Sequence, residues 1–239
     1  MALRFNRSLR SPIHVLSFDL DDTLYFNEEV IQKAEHHQFD TICRLVPDAE
    51  EHGIKFWLKL KRQIAKQQPD LIHDVTAWRQ QVIRTGLSQF GLAGSYLLDC
   101  AAEVYDEFYL ARSDFEVPQQ TFDVLSQLSK KFPLIAVTNG NADIGRLRLA
   151  PYFVGYYRAG ENNTRSKPFP DLLQLASAQL DIPEQNILHI GDNLDTDIKA
   201  ALNAGCQSLW FNALLSKSYP GQILADGEYS NLDDLLHLL

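Results

Sequence analysis

The sequence predicts an α/β protein: a doubly wound, Rossmann-like parallel-sheet core with a helical unit inserted after its first strand. Three observations carry that expectation. Four apolar runs, VLSFDL (15–20), LIAVTN (134–139), NILHIGD (186–192) and QSLWFN (207–212), end in small or polar residues. Strands apolar on both faces belong in parallel sheets covered on each side. Segments of helical period separate the later runs, and residues 27–114 carry helical periodicity with little strand character.

Taken in order, the run at 15–20 is short enough for a strand and leads into Asp19-Leu20-Asp21-Asp22-Thr23. Within the insertion, Ile54, Trp57, Leu58 and Ile64, then Leu97, Ala101, Val104 and Phe108, recur at near-helical steps, with Pro47, Gly53, Pro69, Gly86 and Gly94 read as turns between helices. A helix over 118–132 opens with a proline suited to a first turn and aligns Phe122, Leu125, Leu128 and Phe132. The segment 168–180 repeats that design, and 195–205 stops at Gly205, a C-cap. The expected division is a core of 1–26 and 115–239 and a helical domain of 27–114.

A chain of 239 residues, 45% of them hydrophobic, can bury one large core and a smaller companion. Its net charge of −9 argues against nucleic acid or an anionic membrane as partner. No apolar run reaches the ~18 residues of a membrane span. Cys43, Cys100 and Cys206 are dispersed, without a CxxC, so neither a disulfide framework nor a thiolate metal site is indicated and a reducing cytoplasm fits. His36, His37, His73 and His189 lack metal-ligand spacing and read as core or surface residues, and Trp57, Trp78 and Trp210 as packing. No protein partner is indicated.

In open parallel sheets ligands bind beyond the carboxyl ends of the strands. There the first run places three aspartates within four positions, whose burial is costly unless a cation or donors intervene. The second run closes in Thr138-Asn139-Gly140-Asn141, and the third in Gly191-Asp192-Asn193, followed by Asp195 and Asp197. Asp22 and Asp195 read as turn or cap residues. Lys167, in Arg165-Ser166-Lys167-Pro168, would by itself read as a solvated lysine.

DLDDT (19–23), VTNG (137–140), Lys167 within SKP and GDNLDTD (191–197) stand in the order of four motifs, and on them the chain resembles the haloacid dehalogenase-like hydrolases, in particular the phosphatases among them. The resemblance implies a Mg2+ ion held by Asp19, Asp192 and the backbone carbonyl of Asp21. It implies that Asp19 attacks phosphorus to form an aspartyl-phosphate, while Asp21 serves first as acid and then as base. Thr138 and the backbone N–H groups of Leu20, Asn139 and Gly140 would hold phosphoryl oxygens. Lys167 would stand as a charge between Asp19 and phosphate, with Asn193 and Asp197 orienting it or metal-bound water.

These residue types suit that chemistry. A phosphate monoester repels nucleophiles, so its hydrolysis rests on positioning and charge neutralisation, and magnesium needs only one or two carboxylates beside the phosphate. The ion and Lys167 are expected to lower the pKa of Asp19. Period-two spacing puts Asp19 and Asp21 on one face and Leu20 on the other.

Receiver domains also gather acids, a threonine and a lysine around an aspartate, but in that family pattern no acidic cluster follows the lysine, as Asp192 and Asp197 do here. Dehalogenases of the resembled family lack the second aspartate, present here as Asp21. A phosphomutase or a sugar-phosphate or nucleotide phosphatase keeps all four motifs. The insertion is similar to the helical cap of the family. HDVTAWR (73–79), VPQQT (117–121), TNGNA (138–142) and RSKPFPD (165–171) resemble bacterial phosphatases of riboflavin biosynthesis. That likeness implies flavin mononucleotide and 5-amino-6-(5-phospho-D-ribitylamino)uracil as small phosphorylated substrates, with Trp78 and Arg79 as cap residues that meet a flat ring.

Overall fold

The computed structural model describes residues 3–213 and 225–239. Its strands are β1 (Arg4–Phe5), β2 (Val15–Phe18), β3 (Leu134–Thr138), β4 (Gly155–Arg158), β5 (Ile187–Gly191), β6 (Gln207–Phe211) and β7 (Gly227–Tyr229). They form one sheet in the order β1-β7-β6-β5-β2-β3-β4, parallel except for the β1–β7 pair. Every residue of β2, β3 and β5 is buried, which is why these strands read as unbroken apolar runs. β1, β4 and β7 had no clear sequence signal, because strands of two to four residues rich in Gly, Tyr and Arg show no usable period.

The helices are α1 (Glu28–Leu45), α2 (Ala49–Gln67), α3 (Val75–Gln89), α4 (Gly94–Arg112), α5 (Gln119–Leu128), α6 (Asp171–Leu180) and α7 (Lys199–Ala204). Pro118 and Pro170 sit at the N-caps, one step outside α5 and α6, not within their first turns. A residue that precedes proline is pushed out of the helical region, so the Pro168–Pro170 spacing delays α6 to Asp171. The segment after Asp192 winds first as a wide π-type turn, Leu194–Ile198, then as α7, and stops at Gly205, whose φ of 82° suits a residue without a Cβ.

Two compact units emerge. The first contains Met1–Phe26, Glu116–Gly140 and Arg148–Leu239; the second contains Asn27–Phe115 and Asn141–Leu147. Residues 141–147 thus join the helical unit although they follow β3. Side-chain bonds hold them there: Tyr109 donates to Asp143 (3.2 Å), the Asp143 amide donates to Ser113 (2.8 Å) and the Asn141 amide donates to Thr76 (3.3 Å). Trp57, Leu60, Ile64, Ile83, Leu87 and Val104 are among the buried residues of this unit. Gly86 is not a turn. It lies inside α3, where a Cβ would sit 2.0 Å from the Trp57 ring, so only glycine lets that indole seat against the helix. No helix among the described residues is long and apolar enough to cross a membrane.

In the first unit, the strand order turns about β2: β3 and β4 lie on one side, β5 and β6 on the other. That is a topological switch point, where a crevice opens at the carboxyl ends. The segment after β1 is fastened by fully buried Asp226, which accepts from the Ser208 amide (2.8 Å) and pairs with Arg7 and with Arg10 (3.8 Å).

Candidate active site

β2, β3 and β5 lie side by side and deliver Asp19, Thr138 and Asp192 to one cleft of about 180 Å³, completed by Asp21, Lys167 and Asp197. Lys167 is 3% exposed, far from the solvated lysine that its local sequence suggests. Its Nζ lies 2.6 Å from Asp19 Oδ1, 2.7 Å from Asp197 Oδ1 and 2.7 Å from the Val137 carbonyl. An ammonium has three donors. All are met by the protein, so Lys167 can act on a bound anion through its charge without surrendering a bond.

The backbone of Lys167 is fixed as firmly. Asn139 Oδ1 accepts from the Lys167 N–H (2.7 Å), and Asn139 Nδ2 donates to the Lys167 carbonyl (2.9 Å). The sequence points only to the backbone amide of Asn139; the structure adds its side chain. Thr138 Oγ1 accepts from the Gly140 N–H (2.9 Å), and the hydroxyl keeps its own proton to donate. The carbonyl of buried Leu20 accepts from the amides of Thr23 (3.3 Å) and Leu24 (2.9 Å), which closes the turn that carries Asp21 and Asp22.

Two glycines of the motifs have steric causes. A Cβ on Gly140 would meet Asp21 Oδ2 at 2.6 Å, and one on Gly191 would meet Asp197 Cβ and Cγ at 2.4 Å. Asp22 holds a left-handed φ of 60°, as a turn aspartate can. Asn193, not Asp195, caps the following turn: its side chain accepts from the amides of Asp195 (2.9 Å) and Thr196 (3.1 Å). Thr23 Oγ1 lies 3.3 Å from both Asp19 Oδ2 and Asp192 Oδ1, so one hydroxyl links the two acids. Trp210, expected only to pack, donates to the Asp192 carbonyl (2.7 Å).

Two carboxylates share one ammonium here. For Lys167, burial works against the charged form, but Asp19 and Asp197 outweigh it and raise its pKa. Asp197, despite burial, is held below the usual carboxylate range by Lys167 and His189. Asp19 goes the other way: burial, with the charges of Asp197 and Asp21, lifts it well above the ordinary value against the pull of Lys167. Lys167 lowers Asp19 as expected, but without an ion its pull does not offset burial. Asp192 is raised to about 6, first by burial and then by Asp197 and Asp22. The cluster is short of positive charge.

Asp19, Asp192 and Asp197 each bring an oxygen within 4.8 Å of the others. An all-oxygen, acidic set fits a hard divalent cation such as Mg2+. Asp197 is engaged at both oxygens by nitrogen donors, Lys167 and the Asn193 amide (3.0 Å), whereas Asp19 Oδ2 and Asp192 Oδ1 share only the Thr23 hydroxyl at 3.3 Å, so Asp19 and Asp192 are the pair best placed to hold an ion.

Trp78 and Arg79 belong to the helical unit. The Lys61 ammonium lies 5.0 Å from the centroid of the Trp78 ring, and Trp78 Nε1 donates to the Lys61 carbonyl (3.2 Å). Arg79 lies 3.6 Å over Phe108 and donates to Gln38 (2.9 Å) and Glu35 (3.2 Å).

Comparison with known proteins agrees with this architecture. Residues 13–205 match the family model of the haloacid dehalogenase-like hydrolases. The chain is 37% identical over 240 residues to the 5-amino-6-(5-phospho-D-ribitylamino)uracil phosphatase YigB of Escherichia coli K12, covering 99% of this chain and 100% of that protein. A solved 2-haloacid dehalogenase from Pseudomonas syringae pv. tomato DC3000 superposes with a TM-score of 0.88 at 28% identity, over 95% of this chain and 97% of the other. The magnesium-bound hydrolase YfnB of Bacillus subtilis shares the fold, with a TM-score of 0.65 at 22% identity over 96% of this chain and 99% of that one.

Proposed function

We infer that this chain, which belongs to the haloacid dehalogenase-like hydrolases and is a phosphatase of that family, cleaves a small phosphate monoester by way of a phosphoryl group carried on Asp19. The observation that supports this most is the buried ammonium of Lys167, 2.6 Å from Asp19 and 2.7 Å from Asp197, in a cleft that also holds Asp21, Thr138 and Asp192.

In the proposed reaction a carboxylate oxygen of Asp19 forms a bond to phosphorus as the ester oxygen leaves. Asp21 gives that oxygen its proton, then takes one from the water that attacks phosphorus and releases phosphate and free Asp19. Thr138 donates its hydroxyl proton to a phosphoryl oxygen, and Lys167 offsets charge from behind Asp19. A Mg2+ ion held by Asp19, Asp192 and the Asp21 carbonyl would supply the positive charge that the cluster lacks and would favour the ionised form of Asp19.

A dehalogenase reading has less support: a leaving halide needs no proton, whereas Asp21 is placed in the cleft beside Gly140. A cleft of about 180 Å³ suits a phosphoryl group and an ion, not a whole metabolite. From the likeness to YigB we propose 5-amino-6-(5-phospho-D-ribitylamino)uracil as substrate, with flavin mononucleotide as a second, and Trp78 and Arg79 as candidates to meet the flat ring.

The test is phosphate release from both compounds, from sugar phosphates and pyrimidine nucleotides, and halide release from 2-chloropropionate, each with Mg2+ or with chelator. Native protein should release phosphate only with the ion, fastest from the two ring-bearing esters, and Asp19→Asn should be inactive. Undiminished turnover in Asp19→Asn would overturn the role of Asp19, and halide release would overturn the reaction class.

A further inference from the structure

Behind the cleft lies a buried polar pair that the reaction as described leaves unused. Ser17 and His189 are both fully buried, on β2 and β5, at paired positions of the sheet. Ser17 Oγ lies 2.8 Å from His189 Nδ1. The other ring nitrogen, Nε2, is buried without a hydrogen-bond partner and lies 3.7 Å from Asp197 Oδ1, the oxygen that contacts Lys167. A polar histidine inside a parallel sheet is costly unless both nitrogens find a use.

Two arrangements of the proton are possible. If Nδ1 carries it, the bare lone pair of Nε2 faces a carboxylate, and the contact is repulsive. If the Ser17 hydroxyl donates to Nδ1, the proton sits on Nε2 and faces Asp197. The second arrangement lets Ser17 donate to Nδ1 and turns the Nε2 proton toward the carboxylate, an attractive contact at 3.7 Å in place of a repulsive one. Burial keeps the imidazole neutral, below its ordinary pKa.

We propose that His189, kept by Ser17 as the neutral tautomer protonated on Nε2, is a positioning residue that holds Asp197 against Lys167 and through it sets Lys167 on Asp19. This rests on reading the cleft as a phosphoryl-transfer centre, and it separates two jobs of the GDNLDTD segment. Asp192 faces the ion. Asp197 is steered from beneath, by a residue three positions before Asp192 whose side chain belongs to the interior of the sheet.

The experiment has two arms. Long-range 1H–15N correlation spectra of native protein, with the His189 signals assigned by their loss in His189→Phe or His189→Gln, should show Nε2 protonated and Nδ1 a bare acceptor, and Ser17→Ala should weaken that preference. Kinetics with p-nitrophenyl phosphate and Mg2+ should show kcat lowered about 10–100-fold in His189→Phe, the range for losing an outer hydrogen-bonding partner, with KM little changed. His189→Gln, which can return an N–H donor, should recover most of that loss at similar thermal stability. A proton on Nδ1, or native kcat in folded His189→Phe, would overturn the proposal. The tautomer is read on native protein and its assignment needs only one of the two variants folded, so it decides even if the other fails to fold. Inactive native protein would instead indict the reading of the reaction.

Discussion

Removing and restoring a divalent ion should change the stability of this protein in a way that depends on Asp192 and on pH. The Asp192 carboxyl stands near 6 in the folded chain against 3.8 ordinarily. Between those values the folded chain keeps a proton that the unfolded chain has lost, so without an ion stability falls as pH rises through the window and stays low above it. At full value this costs roughly 3 kcal/mol at neutral pH, and about half that once the partial exposure of the group is allowed for.

An ion at a hundredfold excess over its Kd should return about 2.7 kcal/mol, a rise in Tm of roughly 5–10 °C for a chain of this size. At pH 5 a proton competes for the same oxygen and the rise should shrink. Asp192→Asn should be more stable than native protein without the ion at pH 7.5, by about 1–2 kcal/mol, and should respond little to it. Thermal melts of both proteins at pH 5 and 7.5, with Mg2+ or chelator, measure each of these effects. An equal Mg2+-induced rise in native protein and Asp192→Asn would refute the assignment of Asp192 to the ion.

Three further outcomes are expected. Gly191→Ala should push Asp197 off Lys167, because its Cβ would meet Asp197 at 2.4 Å, and should lower kcat about 10–100-fold, checked by steady-state kinetics beside a melt that shows a folded protein. Asn139→Ala leaves the backbone N–H and carbonyl of Lys167 without their side-chain partner; about 2–3 kcal/mol of stability should be lost, measured by urea unfolding, with turnover falling too. Asp226→Asn weakens the anchor of Arg7 and Arg10 and should lose about 1.5–3 kcal/mol while kcat stays at the native level.

The order of the apolar runs, the helical insertion and the polar residues at the strand ends were legible in the sequence, because central parallel strands are apolar on both faces and their ends are where charge can collect. Short edge strands and the placement of 141–147 were not. They depend on single side-chain bonds, such as Tyr109 to Asp143, which leave no period behind. Motif order placed Asp19, Asp21, Lys167 and Asp192 together on paper, and one cleft contains them.

What composition and spacing determine by themselves is which groups reach the switch point of the sheet: residue alternation and strand length are local properties. Only the tertiary structure decided what each group does there. The three donors of Lys167 are all consumed, the Asn139 side chain grips its backbone, and Gly140 bonds Thr138. Burial, which belongs to the whole fold and not to any window of sequence, lifts Asp19 while the shared ammonium pulls Asp197 down. Desolvation and bond partnership arise from residues far apart in the chain, so no reading of neighbours along it could supply them.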